Sequence, residues 1–334
     1  MASSYGKNII TTIYGSSHGP HVGVKIEGLP KGTQIDFDEL QQFLNRRAPG
    51  QNGITSPRKE PDTLEVITDI KDSDVFEAII ENKDVDRNTY ENLKMVPRPG
   101  HADFAAYMKF GNSKDMSGGG EFSGRMTAPL CIAGGIFKQL LEARGITVEA
   151  HIKSIGAEEI HSDLDVDKVT EIIKDIKEEK DSIGGVVECV VTGMPAGVGG
   201  ELFEGLEGDI SRAVFGIPAV KGIEFGSGFE GSKMRGSQNN DPFYKDGDVV
   251  KTMTNNHGGI LGGISSGMPI VFRVAFKPTP SIGLPQQSVN LETGEVEIIK
   301  VEGRHDPCIV PRGLPCVEAA AAMVIYDRLV GEGK

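Results

Sequence analysis

Glycine is the feature of this sequence that most constrains its folding: it supplies 44 of 334 residues, about twice ordinary usage. Glycine and proline together stay below a fifth of the chain, and no G-X-Y period runs through it, which excludes collagen-like and linker-like chains. Glycine is the residue of tight turns and of backbone that must lie close to something else. Here it gathers in tracts at 15–19, 118–124, 197–200, 226–236 and 258–267, with His, Ser and Arg interleaved. A folded chain so built needs its backbone close against a partner or ligand.

The charge balance narrows the partner. Lys and Arg number 35 against 48 Asp and Glu, a net −13, whereas nucleic acid or an anionic membrane demands a basic face. No apolar run of 18 residues occurs, and the N-terminal MASSYGKNIITTIYG has no signal-like apolar stretch. Cys131, Cys189, Cys308 and Cys316 show no C-x-x-C spacing, so neither a disulfide framework nor a zinc knuckle is expected. The expectation is a cytoplasmic globular protein with reduced thiols, no metal, no nucleic acid and no membrane.

Periodicity supplies the elements. Residues 9–14 and 22–27 alternate as a β-hairpin carrying the loop GSSHGP. A helix starts at Asp36, buries Phe37, Leu40, Phe43 and Leu44, and closes at 46–50. Val75–Glu81 reads as a buried strand, and Thr127 to Arg144 as a helix with Leu130, Ala133, Ile136, Phe137, Leu140 and Leu141 on one face and Gly145 as its stop. Asp167–Lys180 reads as a charged amphipathic helix, VVECVVTG as a strand, 223–242 and 255–267 as loops, and Pro315–Val330 as the last helix. The glycine tracts span almost the whole chain, which favours one domain, 1–334.

Three sets of residues carry chemistry. Gly226, Gly228 and Gly231 match G-x-G-x-x-G after a strand, but SKMRGSQNND is not a helix start, so the dinucleotide mechanism is missing. His18, His101, His257 and His305 lie in Gly- or Pro-tight loops. A lone loop histidine is more often merely exposed, but several together point to proton transfer. The rival, a metal centre, lacks H-x-H spacing and an acidic cluster. Arg46, Arg47, Arg98, Arg125, Arg235, Arg304 and Arg312 sit beside loop breakers. Singly they read as surface charge; together, in an acidic chain, they suggest a local pocket for a polyanion. Gly118–Gly120 and Ser123–Arg125, just before a helix, offer backbone N–H groups to an anion.

In this order the motifs resemble the chorismate synthase family over nearly the whole chain: GSSHG (15–19), RRAPG (46–50), PRKEPD (57–62), RPGHADF (98–104), GGGEFSGRMTAPL (118–130), PAVKGIEFGSGFE, RGSQNND, GGILGGISSG, KPTPSI and GRHDPCIVPR. The resemblance implies an α+β fold, a β-α-β sandwich with helices enclosed between antiparallel sheets, assembled as a homotetramer. It implies a carbon–oxygen lyase that converts 5-enolpyruvylshikimate 3-phosphate to chorismate and phosphate by 1,4-trans elimination. Reduced FMN is required without net redox change, lending an electron to the breaking C3–O bond and recovering it as the C6 hydrogen leaves.

Carried over by position, the resemblance makes His101 the acid for the leaving phosphate. His18 manages the flavin's protonation, with Ser17 and Ser123 in the adjoining relay. Asp306 becomes the base near flavin N5. Ser123, Gly124, Arg125, Gln238, Asn239, Gly262, Lys277, Pro278, Thr279, Pro280, Ser281 and Arg304 fall on stretches that wrap FMN. Arg46, Arg47 and Arg125 are carried over to the substrate or NADP. The sequence departs from the common pattern at Ser16, Glu121-Phe122, Met126, Gly53 and Asn256-His257. Glu121 puts a negative charge where a cation would meet FMN. Gly53 replaces an arginine linked to NADPH, which implies flavin reduced by a separate reductase. His257 inherits no role. The rival functions are an FMN oxidoreductase turning over NAD(P)H and a non-catalytic flavin or phosphate sensor.

Overall fold

The computed structural model describes residues 2–50, 61–68, 70, 73–83, 95–111, 117–161, 165–301 and 306–333. Arg304, His305, Gly53 and most of PRKEPD lie outside the described residues.

Two five-stranded antiparallel sheets form the outer layers. The first has the order Ser3–Tyr5, Ile10–Gly15, His21–Glu27, Val75–Glu81, Glu65–Thr68. Its centre is the expected hairpin, paired from Ile10↔Glu27 to Gly15↔Val22, with residues 16–20 as its loop. Alternation turns Val22, Val24 and Ile26 of one strand and Phe76, Ala78 and Ile80 of its neighbour inward, as period-2 patterning requires. The second sheet has the order Glu158–Glu159, Thr147–Ile155, Gly185–Thr192, Ile270–Phe276, Val220–Phe225. Val148, Val187, Cys189, Val191, Phe272 and Val274 fill its inner face.

Between the sheets lie two helices, Thr127–Glu142 and Val310–Gly331. The first packs on the inner strands of the first sheet and the second on Thr147–Ile155 and Gly185–Thr192 of the second; each packs most extensively on the other. The layers are therefore sheet, helix, helix, sheet, which is the β-α-β sandwich. The two helices run in the same direction. Cys131 Sγ lies 3.9 Å from Cys316 Sγ, Gly134 meets Ala319 one turn on, and the Phe137 and Tyr326 rings stack at 5.4 Å. A Cβ on Gly134 would stand 2.1 Å from the Ala319 Cβ, so the backbones are as close as two helices can come.

The helix Phe37–Arg47 starts where Asp36 accepts N–H bonds from Asp38 and Glu39, both at 3.0 Å, which is the N-cap that its sequence announces. Other elements differ from the sequence reading. The helix at 127 is buried on every side from Thr127 to Phe137, because it is enclosed between a sheet and a second helix, not laid on a surface. The last helix begins at Val310 with Pro311 in its first turn, and Pro315 lies inside it; of two prolines that suit a helix start, the first does the starting. Residues 223–242 are not all loop. Ile223–Phe225 belong to a strand, and the glycine stretch forms single helical turns at Gly228–Gly231 and Gly236–Asn239. The second turn closes where Arg235 N–H donates to Gln238 Oε1 at 3.0 Å. Residues 255–267 likewise contain a small hairpin, Ile260–Leu261 with Ile264–Ser265. No helix among the described residues is long and apolar enough to cross a membrane.

Gly134→Val tests the central contact. Its side chain must displace Ala319 and its helix, and the expected loss is about 3 kcal/mol or more, at the upper end for overpacking a core. Denaturant unfolding measures it; a midpoint equal to wild type would show that the helices are not in contact at Gly134.

Candidate active site

The site is assembled where loops from both sheets meet the leading ends of the two inner helices. The loop after Ile10–Gly15 presents Ser17 and His18, both buried, with Ser17 Oγ 3.1 Å from His18 Nδ1. Asn82 clamps this loop by donating from Nδ2 to the carbonyls of Ser16 (3.0 Å) and Gly19 (2.9 Å). The Asn82 carbonyl is in turn held by Arg125 Nε at 2.9 Å. The loop also reaches the glycine turn, because Ser17 N–H donates to Gly120 O at 3.2 Å.

That turn runs from Ser117 to Phe122 as a 3₁₀ segment, and Ser123 Oγ then accepts from Arg125 N–H at 3.3 Å. Gly119 has φ +93°, and a Cβ there would stand 3.2 Å from His101 Nε2 and 3.6 Å from the Ser123 Cβ. Glycine is therefore required twice over, by its left-handed backbone and by the imidazole packed on it. The turn brings Ser17, His18, His101 and Ser123 together from three separate parts of the chain.

Beneath them lies a buried cluster of charge. Arg47 Nε donates to Asp62 Oδ2 at 2.7 Å, Arg125 Nη1 bonds Asp62 Oδ1, and none of the three is exposed. Two guanidiniums thus converge on one carboxylate. Burial opposes charge on Arg47, but the groups facing it, Asp62 foremost, together raise the guanidinium's pKa above its ordinary value. Arg47 Nη1 also reaches Thr127 Oγ1 at 3.4 Å. Arg312 joins the last loop to the cluster, donating from Nε to Arg47 O at 2.8 Å and from Nη1 to Asp306.

On the other side, His101 Nδ1 is 2.6 Å from Asp103 Oδ1, and Arg98 bonds Asp103 through Nε (2.7 Å) and Nη2 (2.9 Å). Burial would raise the Asp103 carboxyl, but its bonds to Arg98 and His101 hold it well below the usual carboxylate range. Arg98 also donates to Ser281 Oγ at 3.3 Å, and Lys277 Nζ donates to Gly100 O at 2.7 Å. The stretch 277–281 therefore lies against the His101 loop. Burial, and then Lys221, push the Lys277 ammonium below its ordinary value.

Other expected site residues stand apart. Arg46 is turned away to Glu318, which it grips at 2.9 and 2.7 Å beside Lys138. Gln238, Asn239 and Gly262 lie beyond the opposite end of the second sheet. Phe276, just before Lys277, pairs with Val220, whereas Phe225, which leads into the 226–239 turns, pairs with Phe272. The strand Ile270–Phe276 separates the two groups by about 20 Å. His257 does have a role: Nδ1 bonds Asp241 and Nε2 lies 3.2 Å from Ser266 Oγ, fastening the 236–241 turn to the 254–266 loop.

The donors at 277–281 suit an anionic, hydrogen-bonding cofactor. Among the described residues the buried Thr279 hydroxyl oxygen has no hydrogen-bond partner, and an orphaned buried oxygen is unfavourable unless something completes it. Beside it stand the desolvated Lys277 ammonium and the buried Ser281. Residues that sequence reasoning passed over as site members include Asp62, Asn82 and Asp103. Asp62 and Asp103 stood inside quoted motifs, as carboxylates next to basic loops. Asn82 had no local signal, because its partners are 43 to 66 residues away.

A family profile described as chorismate synthase matches residues 9–330. The chain belongs to the chorismate synthase family. Relatives carrying that name include proteins of Lancefieldella parvula (45% identical, 98% of this chain and 96% of that one) and Pyrococcus abyssi (46%, 97% of each). A crystal structure of a chorismate synthase superposes with a TM-score of 0.77 at 25% identity, over 98% of this chain and 93% of that one. As a member of the family, the chain is a carbon–oxygen lyase of the shikimate pathway, eliminating phosphate from 5-enolpyruvylshikimate 3-phosphate to give chorismate.

Asp62→Ala removes the carboxylate that Arg47 and Arg125 share. The expected loss is about 3–5 kcal/mol, as for one partner taken from a buried ion pair. Denaturant unfolding in a buffer without phosphate measures it, and a loss below about 1 kcal/mol would mean that the cluster is solvated.

Proposed function

We propose that this chain carries out the elimination with His101 as general acid, Asp306 as the base at C6, and reduced FMN bound against Ser123–Arg125 and Lys277–Ser281. One observation carries the reading: the glycine turn 118–120 brings the His18 and His101 loops onto the same few residues, with Ser17 on Gly120 and His101 Nε2 on Gly119. Proton donors from distant segments are gathered at one point and backed by two arginines, which is what a leaving phosphate needs.

His101 Nε2–H protonates the departing phosphate oxygen as the C3–O bond breaks. Arg47 and Arg125, held by Asp62, supply positive charge behind the phosphate and carboxylate groups. Asp306, oriented by Arg312, takes the C6 proton, and the new double bond completes the balance of chorismate and phosphate. His18 holds a proton at Nδ1 or Nε2 beside the cofactor, with Ser17 and Ser123 as the adjoining relay. Lys277, Thr279 and Ser281 would hold FMN, with Pro278, Pro280 and Gly124 shaping the backbone there. When bound, FMN supplies a reversible electron donor. The reading of 1–334 as one domain is supported by a hydrophobic core that runs without a break from Ile9 to Leu329. Flavin reduced by a separate reductase, and a cytoplasmic setting for four buried free thiols, belong to the same proposal.

The separation of the cofactor residues supports assembly with further copies, which the proposal takes to be a homotetramer. Gln238, Asn239 and Gly262 stand about 20 Å from Lys277–Ser281 of their own chain, and in this reading a second copy supplies them. Exposed Leu202, Phe203, Phe229 and Leu261 at that end of the molecule provide apolar surface for the contact.

Anaerobic assay with 5-enolpyruvylshikimate 3-phosphate and chemically reduced FMN should yield chorismate without NADPH; folded, FMN-binding protein that forms none overturns the reading. His101→Ala should lower turnover at least about a hundredfold. Assembly across copies is tested by mixing His101→Ala chains with chains carrying Gln238→Ala and Asn239→Ala. Random pairing should restore roughly a quarter of wild-type activity, whereas exchanged oligomers that stay inactive would place the whole site in one chain.

A further inference from the structure

Asp103 opens the helix Asp103–Phe110, two residues after His101, and the elimination as written leaves it unused. Its carboxylate is shared out completely. Oδ1 meets His101 Nδ1 at 2.6 Å and Arg98 Nη2 at 2.9 Å, while Oδ2 accepts from Arg98 N–H at 3.1 Å and Nε at 2.7 Å. Both His101 and Asp103 are largely shielded, with side chains 14% and 15% exposed. A carboxylate so held accepts hydrogen bonds and donates none, so the proton between Asp103 and His101 belongs to Nδ1.

Arg98 does not compete for that position. Its Nη2 lies 3.1 Å from His101 Nδ1 and 3.4 Å from Nε2. The in-plane directions of the two ring nitrogens diverge, so an atom nearly equidistant from both lies over the ring face. The guanidinium therefore covers the imidazole and grips Asp103 edge-on, which leaves Nε2 beside Gly119.

We propose that Asp103, fixed by Arg98, is a positioning residue for His101: it pins one proton on Nδ1 and so makes Nε2 the nitrogen that gives its proton to the leaving phosphate. The inference rests on His101 being the acid. Before transfer the ring carries protons on both nitrogens, and after it the Nδ1 proton remains on the ring, donated to Asp103, and Nε2 is bare, ready to be recharged from solvent. An amide in place of the carboxylate can donate to Nδ1 and drive the ring to the opposite tautomer.

The rival is a purely structural role in closing the turn 98–103, and a double-mutant cycle separates the two. Steady-state rates with reduced FMN are compared for wild type, Asp103→Asn, His101→Ala and the double variant. Asp103→Asn should lower kcat about ten- to a hundredfold with KM for the shikimate substrate changed less than about threefold, and should cost nothing further once His101 is gone. Losses that multiply in the double variant overturn the proposal. A second readout needs no turnover: in ¹⁵N-histidine NMR of the resting protein, neutral His101 should carry its proton on Nδ1, and Asp103→Asn should move it to Nε2. A tautomer unchanged by the substitution also overturns it. Near-normal turnover by His101→Ala would instead remove the acid assignment, while the NMR result still decides what Asp103 does to the ring.

Discussion

The contact between Gly134 and Ala319 is the one on which the other layers depend. Where the two inner helices touch at Gly134 and Ala319 the contact is apolar, so their separation there is set by side-chain size. A glycine opposite an alanine brings them to backbone contact, and a run of alanines, Ala319 to Ala322, all buried, keeps the second helix thin enough for the sheets to close over it. Larger residues there would push the sheets apart and open the core. Because the helices are also parallel, the loops that precede them arrive side by side. One of these loops carries Ser123 and Arg125, the other Asp306, and Arg312 lies in the first turn of the second helix, so helix packing dictates the composition of the site.

The electrostatics follow from burial. The chain is acidic overall, yet four arginines near the site are each matched to a specific anion: Arg47 and Arg125 to Asp62, Arg98 to Asp103, Arg312 to Asp306. These pairs fix the orientation of the guanidiniums in a region where an unpaired charge would be costly. Stability and chemistry are coupled here, since the carboxylates that make the arginines tolerable also aim them.

Much of the architecture was legible in the sequence. The hairpin at 10–27, the Asp36 cap and the buried strand at 75–81 are local patterns, and local patterns survive folding. The start of the last helix was not legible, because two prolines offered the same signal, and the helix at 127 reads as one-faced because sequence cannot show a second layer on its other side. The site divides in the same way. His18, His101 and Ser123 stood out by their glycine loops, and the structure gathers them. Arg46 looked equivalent to Arg47, but successive residues on a helix point about 100° apart, which sends one to Glu318 and the other to Asp62. Asn82 and the distance from Gln238 to Lys277 depend on sheet order, which no local pattern encodes.

The parallel arrangement of the inner helices has an electrical consequence. Side by side and pointing the same way, their peptide dipoles repel, and the positive ends, worth about half a charge each, meet at the same place in a medium that screens them poorly. Asp62 and Asp306 stand at that end, and each is already bonded to arginine. A bound anion at that end relieves the repulsion, and so any phosphate or carboxylate that enters stabilises the stacking of the whole sandwich as well as its own position. Anion binding and helix packing are in this sense one electrostatic problem.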